Sequence, residues 1–152
     1  MGMGAAIAYG AATIINAIAT GRGAAFGVNL WTKARVKLTE DAGVIRGRIL
    51  SDPGEDTVLI EKTVSKVLQK FKLENKFGAI AETDSNIPIA RGLKSSSTAA
   101  NAIALATLAA INKKLDDLSV VKLGVAAALE AKVTLTGAFD DACASYFGNV
   151  II

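Results

Sequence analysis

Three serines in a row, Ser95 to Ser97, lead into an apolar, alanine-rich stretch that runs to Ile111. No other part of the chain restricts its fold as much. Ala99 to Ile111 has almost no polar face, so it reads as a helix buried on every side, which needs a layer of structure packed around it. The approach to that helix is a strand-like segment, Phe77 to Thr83, followed by Pro88, Arg91, Gly92, Leu93 and Lys94. A helix starting at such a point presents free backbone N–H groups, serine hydroxyls and the positive end of its dipole, a combination suited to phosphate. Ser is also a favoured N-cap, but one serine fills that role and here there are further hydroxyls to spare. The Walker pattern G-x-x-x-x-G-K-[ST] is not met: Ile87 stands where its first Gly belongs, and Leu93 precedes Lys94.

A second constellation lies near the end of the chain. Asp140 and Asp141 follow Gly137 and Phe139 and precede Ala142, Cys143 and Ala144. Among such neighbours the two acids are not expected to be fully exposed, and buried acids need partners or a task. The chain has no histidine, which removes imidazole triads and His-ligated metals and leaves a carboxylate, Lys, Tyr or Cys as general base. The single cysteine, Cys143, excludes a disulfide framework and reads as a small packing residue in a reducing compartment.

A chain of 152 residues predicts one domain, and its scarcity of aromatics beside abundant Ala and Gly predicts closely approaching elements. Net charge is only +3 with dispersed Lys and Arg, weak for nucleic acid but compatible with anionic small substrates. Residues 1–21 carry no charged side chain, yet they lack the basic n-region and Leu-rich core of a secretory signal. Gly10, Asn16 and Gly21 interrupt them too often for a membrane span, so a soluble, cytoplasmic protein is expected.

The pattern predicts strands at 3–9, 28–38 and 44–50, with a Gly-rich turn and a partly buried segment after the first. Val58, Leu59, Val64, Val67, Leu68 and Phe71 share one face of a predicted helix, with Lys62, Lys66 and Lys70 as its solvated face. A strand at 77–84, the serine-led helix, a helix at 118–131 capped by Asp116 or Asp117, and a closing strand at 144–152 follow. The fold class is therefore α+β, a mixed sheet with helices packed on it.

Pro88-x-x-x-Gly92-Leu93-x-Ser95-Ser96 with small residues after it resembles the phosphate-binding motif of the GHMP kinases (galactokinase, homoserine kinase, mevalonate kinase, phosphomevalonate kinase). The blocks Thr134 to Ser145 and Gly10 to Gly27 resemble the archaeal-type shikimate kinases, the branch that phosphorylates the 3-hydroxyl of shikimate in aromatic amino-acid synthesis. The resemblance implies a GHMP N-terminal domain over residues 1–152, similar to the second domain of ribosomal protein S5, with ATP and Mg²⁺ as ligands. It also implies a C-terminal domain with a third, Gly-rich motif, and this chain ends at Ile152, near where that domain would begin. The other half as a separate chain, or a homodimer, is a further expectation.

By the same resemblance Pro88, Arg91, Gly92, Leu93, Lys94, Ser95, Ser96, Ser97 and Thr98 cradle the nucleotide phosphates. Ser96 aligns with the Mg²⁺-ligating Ser, and Glu130 is the candidate second metal ligand against a plain helix-surface reading. Asp140 aligns with the catalytic Asp, while Asp141 binds substrate or supports the loop, the division between them being open. Mevalonate-kinase-like relatives carry a Lys in their first motif that pairs with the catalytic Asp, whereas Tyr9 to Ile18 here holds no basic residue. Arg22 is the nearest cation, and with Lys33 and Arg35 it is a candidate for the shikimate carboxylate. The alternatives are a homoserine or mevalonate type of GHMP kinase, a nucleotide-binding fragment without activity, and an S5-like RNA-binding module.

Overall fold

A computed structural model describes residues 1–16, 21–88, 93, 95–134, 137 and 139–152. Strand β1 (Met3–Ile15) pairs antiparallel with the long β2 (Ala24–Thr39), from Met3 opposite Lys37 to Ile15 opposite Ala24. Strand β3 (Ile45–Ile49), helix α1 (Val58–Lys70) and strand β4 (Gly78–Ser85) form a crossover unit whose two strands are parallel. Helices α2 (Ser95–Ala110), α3 (Asp117–Glu130) and α4 (Phe139–Phe147) follow, then the short β5 (Val150–Ile151). The sheet order is β1-β2-β4-β3, with β5 beside β2 at Ala25 and Phe26. This is the mixed-sheet α+β architecture that the sequence pattern predicts.

Alternation along β2 decides which face the helices cover. Thr32, Ala34, Val36 and Leu38 are buried, and the intervening Lys33, Arg35 and Lys37 face outward. Against the buried face lies α2, which also touches α1, α3 and α4; its apolar residues are buried nearly all round because it is the central helix. β1 comes so close to α2 that only glycine fits at position 4: a Cβ there would overlap the Ala106 carbonyl and stand 2.8 Å from the Ala109 Cβ. α1 buries Ile60, Val64, Val67 and Leu68 as its pattern predicts. Lys66, however, leaves the solvated stripe and pairs with Glu130 of α3. Asp116, not Asp117, caps α3, accepting from the Ser119 N–H at 2.9 Å.

Two expectations fail. The first strand does not end at residue 9 but continues through a register shift at Tyr9/Gly10 to Ile15, because the β-branched Thr13, Ile14 and Ile15 suit the extended partner that β2 provides. The predicted strand at 144–152 is mostly helix. Ala142 to Ser145 are small, helix-compatible residues, and Asp140 and Asp141 sit in the first turn, where the dipole favours them. The helix stops at Gly148 (φ +70), whose N–H bonds the Ala144 carbonyl, and only Val150 and Ile151 remain for pairing.

Candidate active site

The first turn of α2 and the second half of α4 are fastened to one backbone atom, the carbonyl oxygen of Tyr9. Ser145 Oγ donates to it at 2.6 Å and Thr98 Oγ1 at 3.3 Å. Asn101, fully buried in α2, reinforces the junction by donating from Nδ2 to the Ala142 carbonyl (3.0 Å) and to Ser145 Oγ (3.2 Å). Ser96 lies two residues before Thr98 on α2, and Asp141 lies four residues, about one helical turn or ~6 Å of rise, before Ser145 on α4. The register shift at Tyr9/Gly10 falls at this junction.

Asp140 and Asp141 are not equivalent. Asp141 is 2% exposed and its Oδ1 accepts a 3.0 Å hydrogen bond from the Thr13 hydroxyl of β1. Asp140 is half-buried. Its charge, after burial, is the second influence pushing the Cys143 thiol up, so Asp140 lies on the Cys143 side of α4. Cys143 itself is buried, and its raised pKa makes it the packing residue the sequence predicts rather than a nucleophile. Asp141 is therefore the acid held against β1.

In front of Ser95 and Ser96 opens a cavity of about 650 Å³. Thr32, Thr83 and Ser85 of the sheet, Leu59 of α1, Pro88 and Val133 line it, as do Asp52, Glu55 and Asp56 from the segment before α1. Thr32 Oγ1 and Ser85 Oγ are 2.9 Å apart, and Ser85 also accepts from the Ile87 N–H and donates to the Trp31 carbonyl. The cavity lining thus combines hydroxyls, the N-terminus of α2 and carboxylates.

The remaining candidates fall into three groups. Leu93, Ser97 and Thr98 are half-buried or buried close to the α2 start, while Arg91, Gly92 and Lys94 lie outside the described residues. Arg22 is exposed in the segment between β1 and β2. Lys33 and Arg35 point to the opposite face of the sheet, where Lys33 lies 4.2 Å over the Trp31 ring, so neither reaches the helix side. Glu130, at the end of α3, is engaged by Lys66, and that hydrogen bond holds its carboxyl below the usual range. Among the described residues no cluster of three or more Asp, Glu, Cys or His gathers to hold a metal. Mg²⁺ needs only one or two protein oxygens beside phosphate and water; Ser96 lines the cavity, whereas Glu130 is paired with Lys66 and is not among the residues that line it.

Sequence reasoning missed Thr13, Asn101 and Ser145. Asn101 had a signal, a lone amide inside an apolar helix that demands a buried partner. Thr13 and Ser145 had none beyond the blocks that contain them.

The family profile described as GHMP kinases N terminal domain matches residues 59–149. The chain is 56% identical over 149 residues to the shikimate kinase of Methanosarcina mazei, covering 98% of this chain and 50% of that protein. To the shikimate kinase of Pyrococcus abyssi it is 51% identical over 151 residues, covering 98% of this chain and 54% of that protein. It thus spans about half the length of the curated relatives it matches. The crystal structure of Methanococcus jannaschii mevalonate kinase superposes with a TM-score of 0.80 at 17% identity, over 96% of this chain and 51% of that one. That profile match covers more than half of the chain and includes the serine-led α2 and the paired acids of α4, so the chain belongs to the GHMP kinase N-terminal domain family.

Proposed function

We propose that the chain carries the nucleotide-binding and catalytic core of a shikimate kinase, transferring the γ-phosphoryl of ATP to the 3-hydroxyl of shikimate. The observation that supports this most directly is the joint fastening of α2 and α4 to the Tyr9 carbonyl through Thr98 and Ser145, which sets the serine-led helix beside the helix that carries the paired acids, in a chain 56% identical over 149 residues to a protein named shikimate kinase. Phosphoryl transfer asks a protein mainly for positioning and charge neutralisation. The α2 N-terminus, with Ser95, Ser96, Ser97 and Thr98, receives the phosphates, and the cavity beside Ser95 and Ser96 takes the rest of the nucleotide. Pro88, Arg91, Gly92, Leu93 and Lys94 complete the cradle.

Asp141 is the carboxylate assigned to the acceptor, because it is the acid that is buried and held against β1 by Thr13, and Asp140 is assigned to its support. As the acceptor oxygen bonds to the γ-phosphorus, the bond from that phosphorus to the bridging oxygen breaks, ADP departs, and the hydroxyl proton passes to Asp141. Ser96 and Glu130 are the residues that would hold Mg²⁺, whose charge offsets that of the phosphates. Arg22 is the cation assigned to the shikimate carboxylate. A cytoplasmic location accords with the demand for ATP, and among the described residues no helix is long and apolar enough to cross a membrane.

The test is product analysis of the full-length protein with Mg-ATP and shikimate, reading the site of phosphorylation by ³¹P and proton NMR. Phosphate on the 3-oxygen is expected. Phosphorylation of homoserine or mevalonate with shikimate untouched would overturn the substrate assignment while leaving the kinase chemistry in place.

A further inference from the structure

We infer that Asn101 is a positioning residue for phosphoryl transfer: its amide locks the helix that carries the paired acids against the helix whose start receives the phosphates. The inference rests on the reading above of those two helices, and it does not depend on which of the two acids meets the acceptor.

Asn101 lies in the second turn of α2 and is fully buried. Its Nδ2 donates to the Ala142 carbonyl at 3.0 Å and to Ser145 Oγ at 3.2 Å. Both acceptors belong to α4, the first directly after Asp140 and Asp141 and the second about one turn later. One amide therefore fixes both the height and the rotation of the acid-bearing helix. A carbonyl only accepts, which directs the nitrogen to α4 and turns Oδ1 away. The Ser145 hydroxyl, having accepted from Asn101, donates its own proton to the Tyr9 carbonyl at 2.6 Å. Thr98, in the first turn of α2, donates to that same carbonyl. The network thus leaves α2 at Asn101, crosses α4, and returns through β1 to the start of α2.

Packing alone does not account for an amide at this position. Among the described residues Asn101 Oδ1 has no hydrogen-bond partner, although it is buried. A Cβ on Gly124 of α3 would already come within 3.5 Å of it. An orphan buried acceptor lowers stability, and a leucine of similar volume would carry none. α4 otherwise buries Ala142, Cys143 and Ala144, whose apolar contacts are non-directional. Two hydrogen bonds from one planar amide are directional. What the amide contributes is geometry.

Displacing a reacting group by about 1 Å can cost ~100-fold in rate. In the full-length enzyme, Asn101→Leu keeps the volume and removes both donors, and is expected to lower kcat between about 10- and 100-fold. The start of α2 is left intact, so the dissociation constant for Mg-ATP should stay within about 2-fold of wild type. The orphan acceptor goes with the donors, so the melting temperature should stay within about 4 °C. A purely structural amide would do the reverse: the variant would melt early, with full turnover in the fraction that remains folded. Ser145→Ala removes one of the two acceptors and keeps the bond to Ala142. Measured below its unfolding transition, it is expected to lose about 3- to 10-fold in kcat, and it decides the matter if Asn101→Leu does not fold.

Wild type that leaves shikimate untouched overturns the substrate reading alone, and the variants are then scored on homoserine, mevalonate or water as the acceptor. Wild type that binds Mg-ATP yet passes phosphate to none of these overturns the kinase reading and the inference with it. With an active wild type, an unchanged kcat in Asn101→Leu overturns the inference alone, as does an unchanged kcat in Ser145→Ala where Asn101→Leu does not fold. A rate loss matched by an equal loss of Mg-ATP affinity overturns it too.

Discussion

The first strand is two strands in one, divided at Tyr9. From Met3 to Ala8 it meets the later turns of α2 through shape alone, glycine and alanine backbones stacked at distances no side chain at position 4 could share. From Gly10 to Ile15 it meets α4, and beside the small apolar contacts of Ala11 the chemistry is carried by Thr13 and the carbonyl of Tyr9. One half of the strand sets how close the layers come. The other sets where polar groups point. The difference teaches that tolerance to mutation should change character within a single element: volume is what matters before Tyr9, and hydrogen bonding after it.

The largest effect belongs to the shape half. Gly4→Val drives a branched side chain into backbone atoms of α2 that cannot swing aside, and a loss of about 3 kcal/mol or more is expected in denaturant unfolding. A stable Gly4→Val protein would break the comparison at its first term. On the polar half, Asp141→Asn should leave the unfolding midpoint near wild type but reduce kcat of the full-length enzyme by about 10²- to 10⁴-fold. If Asp140→Asn caused that loss instead, the two acids would exchange roles. Ser145→Ala removes a donor from the Tyr9 carbonyl and an acceptor from Asn101, and should cost about 2 kcal/mol of stability.

The smallest effect is a pH dependence. Burial, and after it the hydrogen bond to Asp117, pushes the Tyr146 phenol up to about 12 from 10.0. The folded chain then keeps a proton that the unfolded chain releases, so the contribution is full below 10.0 and is lost as pH climbs towards about 12. Ultraviolet titration should show one of the two tyrosines ionising late, and Tyr146→Phe should remove that late step.

Much of the fold was legible because burial leaves a period. The α1 stripe and the apolar run of α2 announced their helices, and β2 showed its alternation in Thr32 to Leu38. What misled was the run from Asp140 to Ile152, where small residues followed by Phe147, Val150 and Ile151 suit a strand as well as a helix until the neighbours are known. The pattern marks the start of β1 but hides its end, since Gly10 and Asn16 look like interruptions when the pairing partner is out of view. At the site, the serine run and the paired acids were visible as residue types in a spacing. Thr13 was not, because a single hydroxyl acquires meaning only from a carboxylate far along the chain.

That separation has a consequence for how the molecule comes into being. Thr13 lies 128 residues from Asp141, and Tyr9 lies 136 residues from Ser145. Closing such loops is among the most entropically costly contacts the chain makes, and contacts of this range slow folding. During synthesis on a ribosome, β1 and β2 can pair long before α4 has emerged, so the nascent polypeptide can hold much of its sheet while the junction of β1 with α4 does not yet exist.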